Sequence, residues 1–177
     1  MERFWLVLLL VALCALAAYG LYAGWRRRGR RQSDLPALPV EPAELGPDLV
    51  EPMTGLYIST TSAGNWQDRI VAQGLGRRAA GAARLSAEGI CIERDGDPDI
   101  FVPVGDLVEV TTAPGIAGKV MGMADGVVLV RWSVGAKKLD SGFRADDTDR
   151  QIAFIAAATE LIAQSRGTET QSKGASS

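Results

Sequence analysis

AARLSAEGICIERDGDPDIFVPVGDLVEVTT, residues 82–112, decides the fold class. Short apolar or alternating runs follow one another here: Ala82 to Leu85, Gly89 to Glu93, Ile100 to Pro103 and Leu107 to Thr112. Each is strand-sized, and the last is rich in β-branched residues, which suit a pleated, half-buried surface. Ser86-Ala87-Glu88 and Asp95-Gly96-Asp97-Pro98 separate them, and Asp, Gly and Pro are the residues that tight turns demand. No helical segment interrupts the series, so a βαβ design is excluded.

Working outward, the same texture continues on both sides. Toward the N-terminus, Gly55 to Thr60 reads as a strand and Arg69 to Ala72 as a second. Toward the C-terminus, Ala124-Asp125-Gly126 is punctuation, Val127 to Trp132 (VVLVRW) is a strand and Lys137 to Phe143 is the last. Asp146-Asp147-Thr148-Asp149 then supplies capping side chains and negative charge for a helix start. Ile152, Ile155, Ala156, Thr159 and Ile162 recur at helical spacing, with Phe154, Ala158 and Leu161 widening the apolar face. This helix is expected to end near Gln164, before Gly167. The expected globular domain is thus residues 54–165: a mainly-β barrel or bent sheet of about seven strands, capped by one C-terminal α-helix that hides a sheet edge. Residues 166–177, polar and small, read as a disordered tail.

The N-terminal third has another character. Phe4 to Trp25 (FWLVLLLVALCALAAYGLYAGW) carries no charge. At 1.5 Å per residue it spans about 33 Å, enough for the hydrocarbon core of a bilayer. Trp5 marks one end and Trp25 the other, as interfacial aromatics do. Arg26, Arg27, Arg28, Arg30 and Arg31 follow and would stop translocation. Cleavable signal peptides carry their positive charge before the apolar run, the reverse of this order, and Leu13 is too large to precede a lipidated Cys14. Residues 1–25 are therefore read as a transmembrane anchor in contact with lipid through 4–25. The positive flank sets the expected topology: plasma membrane, single pass, N-terminus outside and domain cytoplasmic. Residues 26–53 combine this basic stop with an acidic linker containing Pro36, Pro39, Pro42, Pro47 and Pro52, expected to be extended and to hold the domain off anionic lipid.

Composition narrows function by exclusion. The chain has 177 residues, a formal net charge of -2 and no histidine. Missing histidine removes the commonest metal ligand and general base. The two cysteines, Cys14 and Cys91, fall in different segments and should not pair. The absence of a basic bias argues against a nucleic-acid partner. No activated nucleophile or acid–base pair is visible, so the chain reads as a non-enzyme without cofactor or metal.

Several segments, in order, resemble those of bacterial membrane-anchored PH-like domain proteins, especially an actinobacterial group often labelled putative transporters or export membrane proteins. They are Ser62 to Val71 (SAGNWQDRIV), Gly74-Leu75-Gly76, Leu85 to Ile90 (LSAEGI), Phe101 to Leu107 (FVPVGDL), Gly115 to Lys119 (GIAGK) and Leu139 to Arg144 (LDSGFR). The resemblance implies a PH-like barrel closed by a C-terminal helix and little about activity. One helix cannot enclose a substrate path, so transport would need partners.

Candidate binding residues remain on the domain. Arg77, Arg78 and Arg84 form a basic stretch whose guanidinium forks suit phosphate, though solvated surface charge is the commoner explanation of such runs. Trp66, beside Asp68 and Arg69, either anchors a ligand or plugs one end of the barrel, and its size favours plugging. Gly115 to Lys119 lacks the spacing of a phosphate loop, and Asp95, Asp97 and Asp99 lack the glycine and glutamate of a calcium loop. The expected function is a membrane-anchored binding or scaffolding module for a protein partner; the alternative is an accessory subunit of a transport or export complex.

Overall fold

A computed structural model describes residues 4–5, 10–20, 22, 35–117, 119–120 and 126–174. Two compact units divide the chain, 1–35 and 36–177. In the first, residues 10–20 are helical (α1) and exposed, and the Phe4 and Trp5 rings meet edge-on at 6.2 Å. Of the expected anchor, residues 6–9, 21 and 23–25 lie outside the described residues, as do Arg26 to Arg31. No helix among the described residues is long and apolar enough to cross a membrane.

The second unit is built on one antiparallel sheet. Its strands are β1 (Met53–Ser62), β2 (Asn65–Arg69), β3 (Ala79–Ser86), β4 (Gly89–Arg94), β5 (Ile100–Pro103), β6 (Leu107–Ala113), β9 (Val127–Val134) and β10 (Lys137–Ala145). The order is β5-β4-β3-β1-β10-β9-β6, with β2 folded back on β1. Two-residue strands β7 (Gly115–Ile116) and β8 (Lys119–Val120) form a separate hairpin. Helix α2 (Thr148–Gly174) packs on β6. Asp147 caps it, its Oδ1 accepting the Arg150 N–H at 2.9 Å.

Alternation explains the core. Val128, Val130, Trp132 and Val134 are the buried positions of one β9 face, and Leu85, Ile90 and Val102 align across β3, β4 and β5. Phe154, Ala158 and Ile162 of α2 are buried with them. A bulge in β1 changes the count locally. Tyr57 pairs with Phe143, but Ser59 pairs with Gly142, so one extra residue enters β1. Tyr57 and Thr60, three apart, consequently face the same way. Ile58 joins Ile116 and Val127 in a second small cluster. Gly142 makes room for that cluster, since a Cβ there would stand 2.6 Å from Ile116 Cγ2.

The bulge aligns a chain of buried hydroxyls. Tyr57 Oη donates to Leu75 O at 2.6 Å, so it must accept from Thr60 Oγ1 at 2.7 Å. Thr60 then accepts from Ser141 Oγ at 2.6 Å, and Ser141 accepts from Trp132 Nε1 at 2.9 Å. Every proton has one assigned acceptor. The Arg94 guanidinium lies 5.1 Å over the Tyr57 ring and donates to Gly74 O at 2.8 Å and to Pro98 O at 2.9 Å. Burial raises the Tyr57 phenol far above its ordinary range, so it remains a neutral donor.

Three expectations require correction. Residues 36–52 are not a free spacer: they lie against the domain, with Leu49 N–H donating to Leu85 O at 2.8 Å and Asp48 paired with Arg84 at 3.0 Å. Prolines cannot donate, but the intervening residues can, and an extended chain exposes both backbone edges. Helix α2 runs through Gly167 to Gly174 rather than stopping near Gln164, so most of the expected tail is helical. Ser165 and Thr168 hydroxyls bond carbonyls one turn back, at 2.9 and 3.1 Å, which supports those turns. The second strand is Asn65–Arg69 instead of Arg69 to Ala72, and Ala72–Gly74 forms a 3-10 turn.

Candidate functional site

Strand order places β6 at one end of the sheet, with β9 as its one sheet neighbour among the described residues. Along its other side runs α2. Between them lies a cavity of about 490 Å³, lined by Val108, Glu109 and Thr111 from the strand and Thr159, Ala163 and Arg166 from the helix. A bulge between Leu107 and Glu109 interrupts pairing with β9, and the Val108 carbonyl accepts from Arg166 Nη2 at 2.7 Å. The site thus offers a strand edge, an apolar floor that includes Val108 and the buried Val110 and Ile162, and one charged group at each side.

The floor is braced from behind. Arg131 grips Asp140 with two hydrogen bonds, Nε to Oδ1 at 2.7 Å and Nη2 to Oδ2 at 3.0 Å, and reaches Glu109 at 3.2 Å. Asp140 also accepts the Gly64 N–H at 3.0 Å, tying the β1–β2 turn to β10. The Asp140 hydrogen bond raises the Arg131 guanidinium above its ordinary value, so the brace stays charged.

The basic residues singled out from sequence do not converge. Arg69 donates Nε to Ser59 Oγ at 2.8 Å and supports β1. Arg77 pairs with Asp97 at 3.2 Å. Arg84 is held between Asp48 at 3.0 Å and Glu93 at 3.3 Å. Arg78 is exposed. Three of the four guanidinium groups are therefore already engaged within the domain, and no phosphate cradle forms. Trp66 does not plug the barrel: it stands on the β1–β2 hairpin with 44% of its surface in solvent. Burial pushes the Cys91 thiol up to about 12, so it is a poor nucleophile. No cluster able to hold a metal ion occurs among the described residues.

Sequence reasoning missed the groove, because nothing in the order of segments says which strand ends the sheet. The helix periodicity put Ile152, Ala156, Thr159 and Ile162 on the inward stripe; the first three are exposed, and the buried row is Phe154, Ala158 and Ile162, rotated toward the residues expected only to widen that face.

The domain is a seven-strand antiparallel path with its first strand, β1, beside its last, β10, and a C-terminal helix against the end strand β6. The family model described as Bacterial PH domain-like matches residues 35–159. The chain belongs to the bacterial PH domain-like family. No curated protein matches it. The matched span begins at Leu35, so the proline-rich segment is part of this PH-like domain's sequence unit. PH-like domains are generally binding modules without catalysis, which directs attention to surfaces such as the β6–α2 groove.

Proposed function

We propose that this PH-like protein is a membrane-tethered, non-enzymatic binding module that holds an extended segment of a protein partner in the groove between β6 and α2. The observation that carries the reading is the strand edge of β6 facing a 490 Å³ cavity. An extended peptide can add to such an edge through its backbone, while side-chain pockets choose the sequence. The tether is the uncharged run from Phe4 to Trp25, and the five arginines that follow favour a cytoplasmic domain.

Site-specific photocrosslinking tests the groove. A photoreactive residue at Thr111 should give a discrete protein adduct in cells, and one at the distant, exposed Arg78 should not. Ala163→Trp, which fills the groove, should abolish the Thr111 adduct. An adduct indifferent to Ala163→Trp, or no adduct at all, would refute the assignment. Topology is tested separately with Ala87→Cys in a Cys14→Ala, Cys91→Ala background. An impermeant thiol reagent should label this exposed site only after lysis; labelling of intact cells would reverse the proposed orientation.

A further inference from the structure

Residues 36–52 cross the domain surface without burying a single one of their own residues. Gln73 clamps one end with both halves of its amide: Nε2 donates to Pro36 O at 2.8 Å, and Oε1 accepts from Leu38 N at 3.1 Å. Gly46 N–H donates to Glu88 Oε2 at 3.1 Å. Asp48 takes Arg84, and Glu51 pairs with Arg150. These side-chain contacts are all solvent-exposed. Exposed ion pairs contribute little in water, so between buried Leu35 and β1 the firmest attachment is the single backbone bond from Leu49 N–H to Leu85 O at 2.8 Å.

What it covers is different in kind. Cys91 is 1% exposed, yet it lies on the strand face opposite the barrel core, directly across from Arg84. Glu41 of the segment contacts its thiol. The Gln73 clamp itself is strained, with φ at 54° in a residue that carries a Cβ.

We infer that residues 36–52 form a reversible latch, which leaves the outer face of β3 and β4 as a unit while the barrel stays folded. Release frees Arg84 from Asp48 and bares Cys91. The latch lies in the chain between the apolar N-terminal run and β1, so a pull between the two reaches it before the sheet.

Cys91 reports the opening. Full-length Cys14→Ala protein in detergent micelles would be treated with a small thiol-modifying reagent at constant pH, across low urea concentrations. Modification is expected to proceed at a rate nearly independent of urea, because local opening exposes little surface. Arg84→Ala and Gln73→Ala should each raise that rate about fivefold to tenfold, since each removes one or two clamp bonds, with the thermal midpoint nearly unchanged. A rate that climbs with urea as steeply as global unfolding, and is the same in both variants, overturns the latch. Should a variant fail to fold, the urea slope of the Cys14→Ala protein decides alone.

Discussion

Replacing Ser141 by alanine tests the buried hydroxyl chain where it carries most. Ser141 Oγ accepts from Trp132 Nε1 at 2.9 Å and donates to Thr60 Oγ1 at 2.6 Å. Both neighbours are wholly buried, so water cannot replace what is lost. Two hydrogen bonds disappear, each worth about 1 kcal/mol net, and an indole N–H is left without an acceptor, which costs about 1–3 kcal/mol when buried. These figures overlap, and a total of about 2–3 kcal/mol is expected. For a domain of this size that lowers the thermal midpoint by about 6–12 °C. Guanidinium unfolding followed by tryptophan fluorescence reads the change. The direction of the chain gives a sharper check. Thr60→Val alone deprives Ser141 of its acceptor, so Thr60→Val with Ser141→Ala should cost about 1 kcal/mol less than the two singles summed. A Ser141→Ala loss below about 0.5 kcal/mol, or strict additivity in the pair, would refute the assigned proton order.

Three further outcomes follow from packing and charge. Gly142→Val should destabilise by about 1–3 kcal/mol, because even a Cβ meets Ile116 Cγ2 at 2.6 Å and Val127 Cγ1 at 3.2 Å; thermal melting checks it. Arg94→Lys keeps the charge but not the fork to Gly74 O and Pro98 O, and should cost about 2–3 kcal/mol in chemical denaturation. Glu88 is held below its ordinary value of 4.5 by hydrogen bonds from Ser86, its own backbone and Gly46. A depressed carboxylate pKa gives stability that is full above the unfolded value and lost as pH falls through the folded one. The Gly46 amide resonance should therefore shift with a midpoint below that of a free glutamate, and Glu88→Gln should flatten the curve.

Strand positions were the most legible part of the sequence. Alternation and turn residues located β4, β5 and β6 to within a residue, because each buries one face against a shared core, while β3 begins three residues before the expected Ala82 and β9 ends two after the expected Trp132. Arg69 to Ala72 misled because Ile70 and Val71 look like strand residues, yet Ile70 is buried and Val71 is exposed beside a 3-10 turn. The bulge at Ile58 left no local mark; it shows only in the register, where pairing with β10 resumes at Ser59 and Gly142. The proline-rich segment read as a spacer because proline forbids helix and central strand, and neither prohibition prevents docking as a single extended strap. The groove depends on strand order, which is a tertiary fact, while the arginines drew attention by charge alone, and charge was already balanced by Asp48, Glu93 and Asp97.

The adjacency of β1 and β10 sets a timetable for biogenesis. Gly55 lies opposite Ala145, so the central pairing of the sheet needs almost the whole domain to have left the ribosome. Contacts of such high sequence separation form late. In the proposed topology the N-terminal run reaches the bilayer first, and β1, β3 and β4 then wait beside it with an unsatisfied apolar face. Folding of this domain is thus expected to be a post-translational event at the membrane surface, and a chain stalled before β10 should be a target for chaperones or proteases.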